Sequence, residues 1–190
     1  MPWTPSGVVC HIRADVPHGL AAELLGYARD EAPTADLDAP PRHERCYREL
    51  LAPYGKIWLG PAFALRHDVR ATHAAVAITR ANAELLADRF DEWADEIDQR
   101  QPCYCVLERG RAISLCASAR VTSQAHEAGV ETLWEYRGHG HAATVVTAWA
   151  HAVTARGALP MYSTSWDNVA SQRVAAKCGF TAYGSDYHIT

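Results

Sequence analysis

The chain has 190 residues and a formal net charge of -4, with 48% hydrophobic and 21% charged residues. That length suits one domain with a sizeable core, and that balance excludes a disordered tail. A mildly acidic chain argues against a nucleic-acid partner, whose binding rests on dense Lys/Arg contacts to phosphate.

The N-terminus MPWTPSGVVCHIRADVP has no cationic segment followed by an apolar run. No stretch of about 18 apolar residues occurs. The expectation is a cytoplasmic protein with no membrane partner. The six cysteines (10, 46, 103, 105, 116 and 178) then read as reduced thiols, with no CxxC pair among them. Cys103 and Cys105 lie two apart in an apparent strand and share a face. They read as packed core thiols, with a zinc site built on Cys103, Cys105 and Cys116 as the alternative; no metal is expected.

Residues 19–28, GLAAELLGYA, place Leu20, Leu24, Leu25 and Ala28 on one helical face. EAPTADLDAPPRHER reads as a surface loop, and HERCYRELL as a short helix ending near Pro53. YGKIWLGPAFAL predicts a strand, or a hairpin around Gly60-Pro61. From Asn82, ANAELLADRFDEWADEI spaces Leu86, Phe90, Trp93 and Ile97 as a helix does. CYCVLERGRAISLCASARV predicts a hairpin turning at Glu108–Arg111, and HEAGVETL a third strand. RGHGHAATVVTAWAHAVTARG predicts a long helix with a core stripe of Val145, Ala148, Trp149, Ala152 and Val153, stopped by Gly157. LPMYSTS is a strand, NVASQRVAAKC a last helix ended by Gly179, and FTAYGSDYHIT a terminal hairpin or strand pair. This order predicts an α/β domain with a mixed sheet. Residues 1–80 form a helical and loop region of unclear role, packed on the same domain; residues 81–190 form the core.

The stretch EYRGHGHA, residues 135–142, joins a strand to a helix. A helix start exposes unpaired N–H groups and the positive end of the dipole, and so favours anions. Gly138 and Gly140 allow close backbone approach and positive φ, and Arg137 adds a full charge. The stretch is a pyrophosphate cradle or a tight turn with a surface arginine. No GxxxxGK[ST] is present, and the GxGxxG dinucleotide pattern lacks its third glycine.

Arg137-Gly138-His139-Gly140-His141-Ala142 resembles the R/Q-x-x-G-x-G/A signature of the GNAT superfamily of acyl-CoA-dependent N-acyltransferases. Downstream, Asn168, Ser171, Ala175, Gly179 and Phe180 resemble that superfamily's N-x-x-S-x-x-x-A-x-x-x-GF helix. The resemblance covers roughly residues 82–190. It implies the GNAT fold, a mixed central sheet splayed between its fourth and fifth strands, here 127–133 and 159–164, with helices on both faces. It implies acetyl-CoA as co-substrate. The backbone of Thr132 and Leu133 would then pair with pantetheine. Residues Arg137, Gly138, His139, Gly140, His141 and Ala142 would hold the pyrophosphate, and Asn168 would line the cofactor side of the cleft.

Amine attack on a thioester needs a base, and the departing thiolate needs a proton. Glu127 and Glu131 are the base candidates: four apart on a strand, they share a face, as a catalytic pair or as solvated surface acids. His126 points the other way and reads as structural or as a rim residue. Ser171 is the candidate acid, because Ala175 stands where many members carry a tyrosine; Tyr162, Tyr183 and Tyr187 are alternatives. His139 and His141 do not share a helical face well, which argues against a metal there. Trp134 replaces a frequent proline. The reading is an N-acetyltransferase that moves an acetyl group to a primary amine of a small molecule by direct transfer in a ternary complex. Transfer to a protein or peptide amine, or a non-catalytic acyl-CoA sensor, are the alternatives, and a homodimer is possible.

Overall fold

In chain order the elements are β1 (Pro2–Thr4), β2 (Gly7–Val8), α1 (His18–Asp30), α2 (Glu44–Leu51), β3 (Ile57–Ala64), β4 (Val76–Ile78), α3 (Asp91–Asp95), β5 (Cys103–Glu108), β6 (Arg111–Val121), β7 (Ala125–Thr132), α4 (His141–Ala155), β8 (Leu159–Ser163), α5 (Val169–Lys177) and β9 (Thr181–Ile189). They are those of a computed structural model that describes residues 2–34, 36–67 and 74–189. The chain divides into two units. One holds the residues up to Phe63, Ser163–Val169 and those from Ala182 on; the other holds Ala64–Tyr162 and Ala170–Thr181.

In the first unit β2, β1, β9 and β3 are neighbours in that order. Leu24 of α1, Tyr47 of α2 and Tyr187 of β9 form its core, with Leu20, Tyr27, Leu50 and Leu59 packed against them. The expected apolar face of the first helix is therefore the buried one. Between α1 and α2 the loop is pinned rather than free: the Glu31 carboxylate accepts the backbone N–H groups of Arg42 and His43. β3 runs straight through Gly60-Pro61, so the hairpin alternative does not form. Gly60 is required there, because a Cβ would run into the carbonyl oxygen of Thr164. The C-terminal stretch is one strand, β9, paired with β1, and not a hairpin.

In the second unit the order is β8-β7-β6-β5-β4. β4 to β7 are antiparallel neighbours, and β8 is parallel to β7. The β5–β6 turn has Arg109 at φ 51 and Gly110 at φ 77, the backbone of a tight primed turn, as the hairpin pattern predicts. The segment from Asn82 is not the continuous helix its periodicity suggests. A 3-10 stretch, Arg80–Leu86, is kinked at Asn82, whose side chain folds back on the Thr79 backbone N–H at 2.8 Å. Asp88 then adopts φ 64, and its backbone N–H is taken by the Asp91 carboxylate before α3 starts. Tertiary burial preserved the apolar face: Leu86, Phe90 and Ile97 still join Ile78, Cys103, Cys105 and Leu115 in one core cluster. The cysteines are packed there as core thiols, and burial pushes the Cys105 thiol up to about 11.

α4 buries more than one stripe: Ala143, Val145, Val146, Ala148, Trp149, Ala150 and Val153 are all buried. It covers one face of β5, β6 and β7. A buried polar chain fixes it there. Trp149 Nε1 donates to Ser118 Oγ at 3.0 Å, and Ser118 Oγ lies 2.9 Å from His126 Nδ1. The indole can only donate, so a neutral imidazole accepting at Nδ1 completes the chain. Burial, helped by the charge of Arg156, lowers the His126 pKa. On the opposite face, Gly129 lies beneath Trp93, whose ring a Cβ would strike.

Two outcomes follow for stability. Gly60→Ala should cost about 3 kcal/mol in denaturant unfolding, and a wild-type midpoint would disprove the close approach. The lowered His126 pKa means the unfolded state binds the proton more tightly. Its contribution is therefore intact above about pH 6.5 and is lost as pH falls through the folded value. His126→Gln, which cannot titrate, should show a shallower fall in melting temperature between pH 7 and 5 than wild type does; equal slopes would remove His126 from the account.

Candidate active site

The site begins where two strands part. β7 and β8 are registered only at Ala125↔Leu159, His126↔Pro160 and Glu127↔Met161. β7 then continues to Thr132 while staying registered with β6, down to Ser114↔Thr132. The Leu133 N–H donates to the Ile113 carbonyl. By alternation, odd residues of β7 direct their backbone groups to β6, and even residues direct theirs to the β8 side. Val130 and Thr132 therefore face the opening. This is the sheet edge an extended ligand can join by strand addition.

The opening sharpens two expectations. The Leu133 N–H belongs to Ile113, and the Thr132 carbonyl accepts Arg137 Nε at 3.1 Å. The Thr132 hydroxyl is 2.8 Å from Ser114 Oγ. Val130, which carries no motif and only its strand phase, is the backbone position that sequence reasoning missed.

Beyond β7 a 3-10 turn, Trp134–Tyr136, leads to Arg137 and the start of α4. Gly138 has φ 79 and Gly140 φ 88, both left-handed backbone. Gly140 is the N-cap of α4 and offers no side-chain cap, and the first turn carries no acid. The first N–H groups of α4 are thus left for an anion. Ala142 lies in this first turn. Arg137 stacks on Trp134, its Cζ 5.0 Å from the ring centroid, which accounts for an aromatic residue at that position. Lys177, on the last turn of α5, brings its Nζ to 3.5 Å from where a Gly140 Cβ would stand. This cation comes from a distant stretch of sequence, and no local pattern marks it.

The rings of His139 and His141 are 6.1 Å apart and tilted by only 28°, so they do lie together. His139 precedes the helix, and helical spacing does not apply to it. No cluster of three or more metal-ligating side chains occurs among the described residues.

Glu127 and Glu131 share the Trp93 face of β7. Glu131 is exposed, and its carboxylate accepts Trp93 Nε1 at 3.0 Å. Glu127 is more enclosed, 19% exposed, and pairs with Arg120 at 2.8 Å. It also occupies the last registered position before the strands part. Across the splay Tyr162, the next β8 residue after Met161, lies 2.8 Å from Ser171 Oγ of α5. Burial pushes the Tyr162 phenol up to about 12, against the opposing pull of Ser171. A phenol so weakly acidic stays protonated and orients Ser171. Ala175, one turn after Ser171, is fully buried. Asn168 belongs to the first unit, where its N–H donates to the Ser165 carbonyl.

The family model for GNAT acetyltransferase matches residues 66–189. The chain belongs to the GNAT acetyltransferase family. Among solved structures it is similar to a GNAT-family protein from Novosphingobium aromaticivorans, with TM-score 0.56, 20% identity, and coverage of 70% of this chain and 63% of that one. A GCN5-related N-acetyltransferase-like protein from Streptococcus suis gives TM-score 0.56 and 18% identity over 76% of this chain and 67% of that one. A GNAT-family acetyltransferase from Colwellia psychrerythraea gives 0.52 and 15% over 78% and 63%. The chain thus spans about two thirds of the length of these structures, and at such identities the likeness concerns the fold. No curated protein matches the sequence. No helix of the described residues is long and apolar enough to cross a membrane.

Gly140→Val puts a β-branched side chain at φ 88 and should abolish acetyl-CoA binding in calorimetry while the far-ultraviolet spectrum stays that of a folded chain. Lys177→Ala should weaken that binding about fivefold, and less at high salt. Wild-type affinity in both variants would reduce the helix start to a bare turn.

Proposed function

We propose that the chain is an N-acetyltransferase that moves an acetyl group from acetyl-CoA to a primary amine of a small molecule, directly, in a ternary complex. The observation that carries this reading is the parting of β7 from β8 just ahead of an uncapped, two-glycine helix start. One opening then offers strand backbone for a pantetheine amide arm and helix N–H groups for a pyrophosphate. Arg137, Gly138, His139, Gly140, His141 and Ala142 would surround the phosphates, with Lys177 adding charge, and Val130 and Thr132 would meet the pantetheine.

The chemistry follows from the flanking side chains. A neutral amine attacks the thioester carbon, and its proton passes to Glu127, directly or through a water. Glu127 is preferred to Glu131 because it stands at the splay and is the more enclosed of the two. The tetrahedral oxyanion is met by backbone N–H groups of the opened strand. The intermediate collapses, the C–S bond breaks, and the thiolate takes a proton through the Ser171 hydroxyl, which water reprotonates, with Tyr162 holding that hydroxyl in place. Holding both reactants in one opening supplies much of the remaining acceleration.

The test is thiol release from acetyl-CoA across a panel of small amines, polyamines, amino acids and peptides. Glu127→Gln should lower kcat at least tenfold near pH 7, flatten the acid limb of the pH profile and leave acetyl-CoA affinity unchanged. Full activity across pH would move the base role to Glu131 or to solvent. Tight acetyl-CoA binding with no turnover on any amine would favour a sensor.

A further inference from the structure

Trp134 is 78% exposed, whereas the other exposed large apolar side chains among the described residues are valines at 39% to 50%. Leaving an indole in water forgoes a large burial gain, and such residues mark contact surfaces. Arg137 already lies over one face of this ring. An indole with one face covered keeps that exposure only if its opposite face opens to solvent. The arrangement is held from behind, because Arg137 Nε is bound to the Thr132 carbonyl. The neighbouring Tyr136 is committed elsewhere: its hydroxyl donates to Glu108 at 2.6 Å, and its ring meets His141 edge-on.

The position of this platform selects its occupant. Trp134 opens the 3-10 turn that ends at Arg137, so it lies one turn from the two-glycine helix start. Arg137 and Lys177 make that start cationic. A ligand whose phosphates are held there, and which carries an aromatic base a few bonds away, can lay the base on the open face of the ring. We infer that Trp134 is the adenine platform of the acyl-CoA site: the base stacks on the open indole face and extends the Arg137–Trp134 stack. This rests on the acyl-CoA reading of the cradle. It adds a specificity element for the nucleotide end, outside the RGHGHA stretch, that relies on the π-face of the base rather than on its hydrogen-bonding edge.

Calorimetry with the full chain tests this using three probes: acetyl-CoA, 3′-dephospho-acetyl-CoA and acetyl-4′-phosphopantetheine. Trp134→Ala should weaken the first two about tenfold and leave the third unchanged, and Trp134→Phe should recover most of the loss. Equal affinity of Trp134→Ala and wild type for acetyl-CoA overturns the proposal. So does an equal loss for all three probes, which would mean that Trp134 acts by holding Arg137 against the phosphates. Self-association that disappears in Trp134→Ala, with acetyl-CoA affinity intact, would assign the face to a second copy of the chain. A folded wild type that binds none of the probes would instead remove the cradle reading beneath the proposal.

Discussion

The hydrogen-bonded chain Trp149–Ser118–His126 ties α4 to β6 and β7 in the interior of the second unit. Buried polar groups are costly when left unpaired, so these three must meet in one geometry or not at all. That requirement sets the helix on the two strands with a single register. The helix start is carried with it and comes to rest just past the end of β7. Without this clamp, a helix that buries small and branched residues nearly all round would have several ways to lie on the sheet.

The form of the helix start then follows from local chemistry. Left-handed backbone at Gly138 and Gly140 turns the chain sharply, and the absence of a capping side chain leaves α4's first N–H groups unclaimed. Arg137 is exposed, yet Thr132 and Trp134 hold it from two sides.

On either side of the splay the two groups proposed to handle protons are held differently. Glu127 is paired with a partly exposed Arg120, an interaction that water can loosen. Ser171 is paired with a buried Tyr162 whose phenol cannot ionise near neutral pH. The enclosed carboxylate of Glu127 is thus held by an exposed cation, and the Ser171 hydroxyl by a buried, protonated phenol. The ring beside Ser171 comes from the strand, as Tyr162, while the helix carries the buried Ala175 one turn on.

Much of this was legible in the sequence. The period-2 run of β7 put Glu127 and Glu131 on one face, the 3.6-residue stripe of α4 marked its core side, and the glycines of EYRGHGHA marked a helix start fit for an anion. These are local rules, and local sequence determines them. The break in the helix after Asn82 was not legible, because its apolar spacing is helical and only side-chain capping by Asn82 and Asp91 interrupts it. Nor were the strand phase that turns Val130 to the opening, the arrival of Lys177 at Gly140, the meeting of Tyr162 with Ser171, or the covering of one face of Trp134. Each joins groups whose neighbours depend on how strands register and helices pack, and a register is chosen by the whole core at once. The sequence by itself determined which residues can bind an anion, carry a proton or fill the core. The tertiary structure decided which of them face one another, because that is a property of packing and not of spacing along the chain.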